Sequence, residues 1–120
     1  MKAMALLLFS LLVSATSPLW AAPLGGQELN RMMQQSEGRQ SVGSDLLAGA
    51  YEGYVMGVSD GLMGTSLYYY CPPGNVGKKQ LLGAVSSYLK SHTSDLHVPA
   101  GALVTAALIE AYPCRKKEKE

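Results

Sequence analysis

Residues 99–114 decide the fold, and they read Pro-Ala-Gly-Ala-Leu-Val-Thr-Ala-Ala-Leu-Ile-Glu-Ala-Tyr-Pro-Cys. Pro99 stands where a helix begins, because its fixed φ suits the first turn, and Pro113 stops the helix. Between the two prolines, apolar residues recur three and four positions apart, which is the spacing of one helix face: Ala100, Leu103, Val104, Ala107, Leu108 and Ala111. The segment therefore predicts a helix that buries one face and ends beside Cys114.

Three further segments predict helices. They cover residues 27–35, residues 44–64 with Ser44 as N-cap, and about residues 78–90. The loop between the second and third contains Pro72, Pro73 and Gly74, which exclude regular structure. No segment predicts a strand, so the fold class is all-α: a small bundle of about four helices closed by one disulfide.

That disulfide is predicted from the two cysteines, Cys71 and Cys114. An even count in a small exported domain is typical of a disulfide, and a loop of this length stabilises the fold by about 4 kcal/mol in the chain-entropy model. The alternatives are two free thiols or a metal site. The wide separation lacks the paired spacing of zinc sites.

The N-terminus predicts export. Lys2 is followed by an apolar run, residues 3–13, and then by small residues before Ala21 and Ala22. This is the pattern of a cleavable signal peptide over residues 1–22, and the run is too short to span a membrane. We therefore expect a helical domain over residues 23–114, a charged and disordered tail over residues 115–120, and a periplasmic protein with no membrane contact after cleavage.

Charge and residue chemistry exclude several function classes. The sequence contains ten Lys and Arg residues and nine Asp and Glu residues, and without Lys2 the two counts are equal. This charge balance argues against a nucleic-acid partner. We find no catalytic constellation, no cofactor motif and no zinc-type spacing. His92, Asp95 and His97 offer metal ligands in a short turn, but roles in turns and helix capping are favoured. The sequence therefore predicts neither an enzyme nor a metal or cofactor site.

A stripe of glycines four residues apart marks the second helix: Gly49, Gly53, Gly57 and Gly61. A glycine inside a helix costs up to about 1 kcal/mol relative to Ala, and close approach of another backbone is the usual compensation. We predict packing against another helix of the chain, with a dimer seam as the alternative. Glu52 and Asp60 argue against a membrane dimerisation motif.

A protein partner is predicted to contact the loop after the second helix and the turn after the third. Tyrosines are enriched at binding hot spots, although packing under the disulfide is equally consistent with three adjacent tyrosines. Asp60 is either a solvated carboxylate or a helix-end residue bonded to a neighbouring turn. The candidate contact residues are Tyr68, Tyr69, Tyr70, Asn75, Lys78, Lys79, His92 and His97.

The order of short motifs resembles the Rap/Tai-type immunity family of type VI secretion systems. The resemblance covers about residues 47–114. It rests on Gly53-Tyr-Val-Met-Gly-Val-Ser-Asp60, Cys71-Pro-Pro-Gly-Asn-Val76, Gln80, the positions around His92 and His97, and Ala111-Tyr-Pro-Cys114. Three positions depart from it: Tyr51 stands where a further cysteine is usual, Gly77 where Thr or Ser is common, and Thr93 where Pro is common.

The resemblance implies a function as well as a fold. Members are small periplasmic helical proteins that bind peptidoglycan-amidase toxins and block them sterically, and several act as homodimers. The chain is thus expected to inhibit a secreted amidase toxin, its protein partner, and to have no catalytic residues of its own. The alternative is a periplasmic acid-stress chaperone of the HdeA kind, or another envelope protein.

Overall fold

Four α-helices make up most of the described chain. The computed structural model describes residues 22–38, 42–65 and 69–115. The helices are α1 (Gly26–Glu37), α2 (Val42–Gly64), α3 (Lys78–Ser91) and α4 (Ala100–Ala111), with one 3-10 turn, Thr93–Asp95, before α4. Within these ranges the only β-type pairings are two isolated bridges, Gly25–Pro99 and Tyr70–Pro113. The all-α prediction is confirmed, whereas the predicted signal peptide up to residue 21, the tail from residue 116 and Tyr68 lie outside the described residues.

Local signals account for the ends of α3 and α4. The backbone N–H of Gly77 donates to Oε1 of Gln80 at 2.7 Å, so the glutamine side chain satisfies a group left free at the start of α3. Pro99 precedes α4, and the helix ends at Ala111, before Pro113. The start of α2 differs from the prediction. The helix begins at Val42, and Ser44 is buried within its first turn instead of preceding the helix as N-cap.

The core takes side chains from all four helices. Leu29 and Met33 of α1, Val55 of α2, Val85 and Leu89 of α3, and Val104 and Leu108 of α4 are the largest fully buried side chains. Burying each contributes roughly 1.5–3 kcal/mol. The pairs in α1, α3 and α4 are each four residues apart, which is the helical spacing that predicted the bundle.

Gly26 allows the start of α1 to approach the connection before α4. A Cβ on Gly26 would lie 2.5 Å from Cδ1 of Leu103 and 2.6 and 2.7 Å from the carbonyl oxygens of Leu96 and Val98. The Gly26 N–H donates to the Val98 carbonyl at 3.0 Å. Only glycine fits this position without displacing backbone.

The disulfide between Cys71 and Cys114 closes the other end of α4, which confirms the predicted pairing. The two Cα atoms are 4.8 Å apart. The Cys71 N–H donates to the Tyr112 carbonyl at 2.9 Å, and the Cys114 N–H donates to the Tyr69 carbonyl at 3.4 Å. One covalent and two hydrogen bonds thus join the loop after α2 to the end of α4. Among the described helices, none has the length and apolar character needed to cross a membrane.

Candidate partner-binding surface

The loop formed by residues 69–77, here called the tyrosine–proline loop, divides its tyrosines between solvent and core. Tyr69 is 66% exposed, whereas Tyr70 is 6% exposed. The Tyr70 hydroxyl lies 2.8 Å from the hydroxyl of Ser59 on α2, in a buried pair. The structure therefore leaves Tyr69 available to a partner and gives Tyr70 a packing role, which argues against the predicted partner contact of Tyr70.

A pocket of about 220 Å³ lies between α2 and the tyrosine–proline loop. We call it the methionine pocket, because Met56 and Met63 of α2 line it, together with Pro72 and Val76 of the loop and Leu81 of α3. Ser59 and Tyr70 also line it. Asp60 is the only charged residue among the described residues that line the pocket. The sequence carried a signal for this site: Met56, Asp60 and Met63 are four and three residues apart, so they share one helix face.

A larger cleft of about 630 Å³ lies on the α1, α2 and α3 side of the molecule. Two ion pairs border it. Lys78 Nζ lies 2.9 Å from Oε2 of Glu52, and Lys90 Nζ lies 2.8 Å from Oε1 of Glu37. Lys79 also lines the cleft. The predicted contact residues Lys78 and Lys79 therefore border this cleft and do not line the methionine pocket.

Glu37 joins the end of α1 to α3. Its Oε1 accepts hydrogen bonds from Lys90 Nζ at 2.8 Å and from Ser86 Oγ at 2.6 Å. These bonds to Lys90 and Ser86 hold the pKa of the Glu37 carboxyl below its usual value. The neighbouring Tyr51 phenol donates to the Leu82 carbonyl at 3.2 Å, and burial, with a smaller effect of the Glu37 charge, raises its pKa.

The two histidines bond to the backbone of their own turn. The ring of His92 stacks on Tyr88, with centroids 3.8 Å apart, and its Nδ1 lies 2.9 Å from the Tyr88 carbonyl oxygen. His97 Nδ1 lies 3.0 Å from the Ser94 carbonyl oxygen. These contacts agree with the predicted turn and capping roles. In residues 22–38, 42–65 and 69–115, no group of three His, Cys, Asp or Glu side chains is placed to hold a metal ion.

The predicted contact residues do not form one cluster. Asn75, Lys78 and Lys79 lie at the start of α3, and His92 and His97 follow its end. With 14 residues, α3 is about 21 Å long at 1.5 Å per residue. A partner would have to cover the length of α3 to touch both groups.

The glycine stripe of α2 faces outward, so the prediction of packing within the chain was wrong. Apart from the adjoining residues and the backbone of α2 itself, no atom of the described residues lies within 4 Å of the position that a Cβ would take at Gly49, Gly53, Gly57 or Gly61. The buried side of α2 carries Ser44, Ala48, Tyr51, Val55, Ser59 and Leu62 instead. Both stripes repeat at helical spacing, and the larger apolar side chains bury more surface. Within the described part of the chain, no contact therefore compensates for the low helix propensity of these glycines.

One comparison with known proteins identifies a family. The family model described as Rap1a immunity proteins matches residues 25–114. The match begins at Gly25, which forms a β-bridge with Pro99, and ends at Cys114 of the disulfide. No curated protein matches the chain. The matched region includes all four helices, the methionine pocket and the tyrosine–proline loop, and the chain therefore belongs to the Rap1a immunity protein family.

Proposed function

We propose that the protein is a periplasmic immunity protein that binds and sterically blocks a peptidoglycan-amidase toxin of a type VI secretion system. The observation that carries the proposal is the match of the immunity family model to residues 25–114. The family itself consists of immunity proteins, and a toxin is the partner that such a protein requires. The same match favours immunity over the acid-chaperone alternative.

The tyrosine–proline loop is the proposed blocking element. Tyr69 is 66% exposed, yet the residues around it are held by the disulfide and by the hydrogen bonds of Cys71 and Cys114. A rigid exposed loop binds with little loss of conformational entropy. Insertion of such a loop into the cleft of an enzyme excludes the substrate without any chemical step, so the protein needs no catalytic residue of its own.

The periplasm is the proposed location. Residues 1–22 have the pattern of a secretory signal, and Cys71 is bonded to Cys114. Disulfides persist in oxidising compartments such as the periplasm and are rare in the cytosol. A toxin that cleaves peptidoglycan acts in the same compartment.

A second copy of the chain is the proposed second partner. The outward face of α2 carries the glycine stripe, and Leu46 is 76% exposed near the start of the same helix. A homodimer joined through this face would bring two α2 backbones together and bury the Leu46 side chain. This contact would compensate for the glycines that no other described residue covers.

The test is co-expression with an amidase toxin, for which an exported or type VI-linked amidase encoded beside this gene is the expected candidate. We expect the two proteins to co-purify and the full-length chain to restore growth of cells that produce the toxin in the periplasm. The matched control is a variant without residues 2–22, which remains in the cytoplasm and gives no rescue although it contains the whole matched domain. Absence of both co-purification and rescue would refute the proposal.

A further inference from the structure

The walls of the methionine pocket suit a long and partly apolar side chain. Met63 is 63% exposed and Met56 is partly buried, so their thioether chains form an open apolar entrance. Pro72 and Val76 form the opposite wall. Methionine side chains are flexible and polarisable, which allows such a surface to adapt to the group that enters.

The negative charge of the pocket favours a side chain with a positive charge at its tip. Asp60 is exposed, and it makes no ion pair within the described part of the chain. No basic residue lines the pocket. The nearby Lys78 is paired with Glu52 at the larger cleft. A group that is apolar along its length and cationic at its tip matches both features, and arginine and lysine are the side chains of this kind.

The pocket exists before any partner binds. Tyr70 is bonded to Ser59 on α2, and the adjacent Cys71 is bonded to Cys114. A turn follows in which the Val76 N–H donates to the Pro73 carbonyl at 3.0 Å. These three ties hold the loop wall in position, so an entering side chain does not have to order it.

We propose that the methionine pocket binds an arginine side chain of the toxin, with the guanidinium on Asp60 and the methylene stem between the methionines and the loop wall. The inference rests on the proposed function, because it names a contact of the same partner. The competing occupant is the basic tail of this chain, which begins at Arg115, next to the disulfide, and contains three lysines.

A small probe tests the pocket without the toxin. The mature chain, residues 23–120, carries ¹³C-labelled methionine methyl groups and is titrated with N-acetyl-arginine amide. We expect saturable shifts of the Met56 and Met63 methyl signals, with a Kd on the order of 1 mM for so small a ligand. The signals of Met32 and Met33, which are buried in the core, serve as internal controls and should stay in place.

Two matched controls isolate the charge. N-acetyl-citrulline amide has nearly the same shape without the positive charge, and Asp60→Asn keeps the shape of the pocket without the negative one. Each should weaken the shifts at Met56 and Met63 at least fivefold. Equal shifts with the citrulline probe, or an unchanged Kd in Asp60→Asn, would overturn the proposal.

A tail variant decides between the two occupants. In the variant with Arg115, Lys116, Lys117 and Lys119 all changed to Gln, the free Met56 and Met63 signals should remain where they are in the parent. Movement of those signals without any probe would identify the tail as the occupant and overturn the proposal.

The toxin complex separates this inference from the proposed function. We expect Asp60→Asn to weaken toxin binding about tenfold, as for loss of a charged contact at an interface. Toxin binding that is unchanged in Asp60→Asn contradicts the pocket inference and leaves the immunity function standing. If no toxin binds the parent chain, it is the proposed function that fails.

Discussion

The hydroxyl of Tyr70 lies 2.8 Å from the hydroxyl of Ser59, and both residues are buried. This bond joins the tyrosine–proline loop to the C-terminal third of α2. Because the same loop is joined to the end of α4 by the Cys71–Cys114 disulfide, it is anchored on two sides of the bundle. The exposed Tyr69 directly precedes these two anchored residues and is thereby presented on a fixed support.

Removal of either hydroxyl should destabilise the fold. We expect Tyr70→Phe and Ser59→Ala each to lower the free energy of unfolding by about 1 kcal/mol, the usual net value of one hydrogen bond. The double variant should lose less than the sum of the two, by about 0.5–1 kcal/mol, because both changes remove the same bond. Urea unfolding of the four proteins measures this cycle.

Tyr69→Phe is the control for that cycle. The Tyr69 side chain is 66% exposed, so its free energy of unfolding should change by less than about 0.5 kcal/mol. Strict additivity of Tyr70→Phe and Ser59→Ala would show that the two hydroxyls do not interact.

Gly26→Ala should destabilise the protein by about 2 kcal/mol or more. The new Cβ would overlap the carbonyl oxygens of Leu96 and Val98, and forcing extra atoms into a packed site typically costs 1–3 kcal/mol. Gly25→Ala is the matched control, because a Cβ there meets no atom within 4 Å. Thermal unfolding of both variants is the measurement. Equal melting temperatures would contradict the close approach at the start of α1.

Gly53→Ala and Gly57→Ala should stabilise the monomer. Both positions lie inside α2 with open space at the Cβ, and Ala is favoured over Gly in a helix by about 0.8–1 kcal/mol. If α2 forms the proposed dimer seam, the same changes should raise the dissociation constant of the dimer. Urea unfolding at low protein concentration and analytical ultracentrifugation separate the two effects. A loss of monomer stability would show that the stripe is covered within the chain.

Glu37→Gln should reduce stability at neutral pH and have little effect in acid. The pKa of the folded Glu37 carboxyl is lowered from 4.5 by hydrogen bonds from Lys90 and Ser86. Its contribution is therefore fully present above that value and is lost as the pH falls through the lower pKa of the folded state. The Glu37–Lys90 pair is largely exposed, so we expect an effect below about 1 kcal/mol.

Melting temperatures of the parent and Glu37→Gln at pH 7 and at about pH 2 measure this dependence. Lys90→Gln is a useful second variant, since it removes the first of the two bonds to Glu37 and should also lose its effect in acid. A difference between parent and Glu37→Gln that is as large at about pH 2 as at pH 7 would exclude the carboxylate as its source.

The sequence was sufficient for both ends of α4 and for the start of α3 because these helix ends carry local signals. Pro99 and Pro113 set the ends of α4, and the residues around Gly77 set the start of α3, through backbone chemistry that does not depend on the rest of the fold. The disulfide followed from the cysteine count and the predicted compartment. Ser44 was assigned to the N-cap because it is a good capping residue by type, whereas its burial inside the first turn of α2 is a tertiary effect that the local sequence does not show.

The candidate site was predicted only in outline, since its details depend on which side of each segment faces the bundle. Tyr69 and Tyr70 are chemically identical neighbours, yet one is exposed and the other buried because the loop turns only one of them toward Ser59. The glycine stripe was assigned to the interior because sequence gives the spacing of two faces and not the choice between them. The methionine pocket requires α2, α3 and the loop to meet, which periodicity in one helix does not show.

Inhibition of the purified toxin is the most direct test of the immunity function. A candidate amidase toxin that co-purifies with the protein is assayed on peptidoglycan while mature protein is added in increasing amounts. The account predicts that cleavage falls in proportion to the added protein and stops when every toxin molecule is bound. Full amidase activity in the presence of a large excess of the folded, disulfide-bonded protein would contradict it.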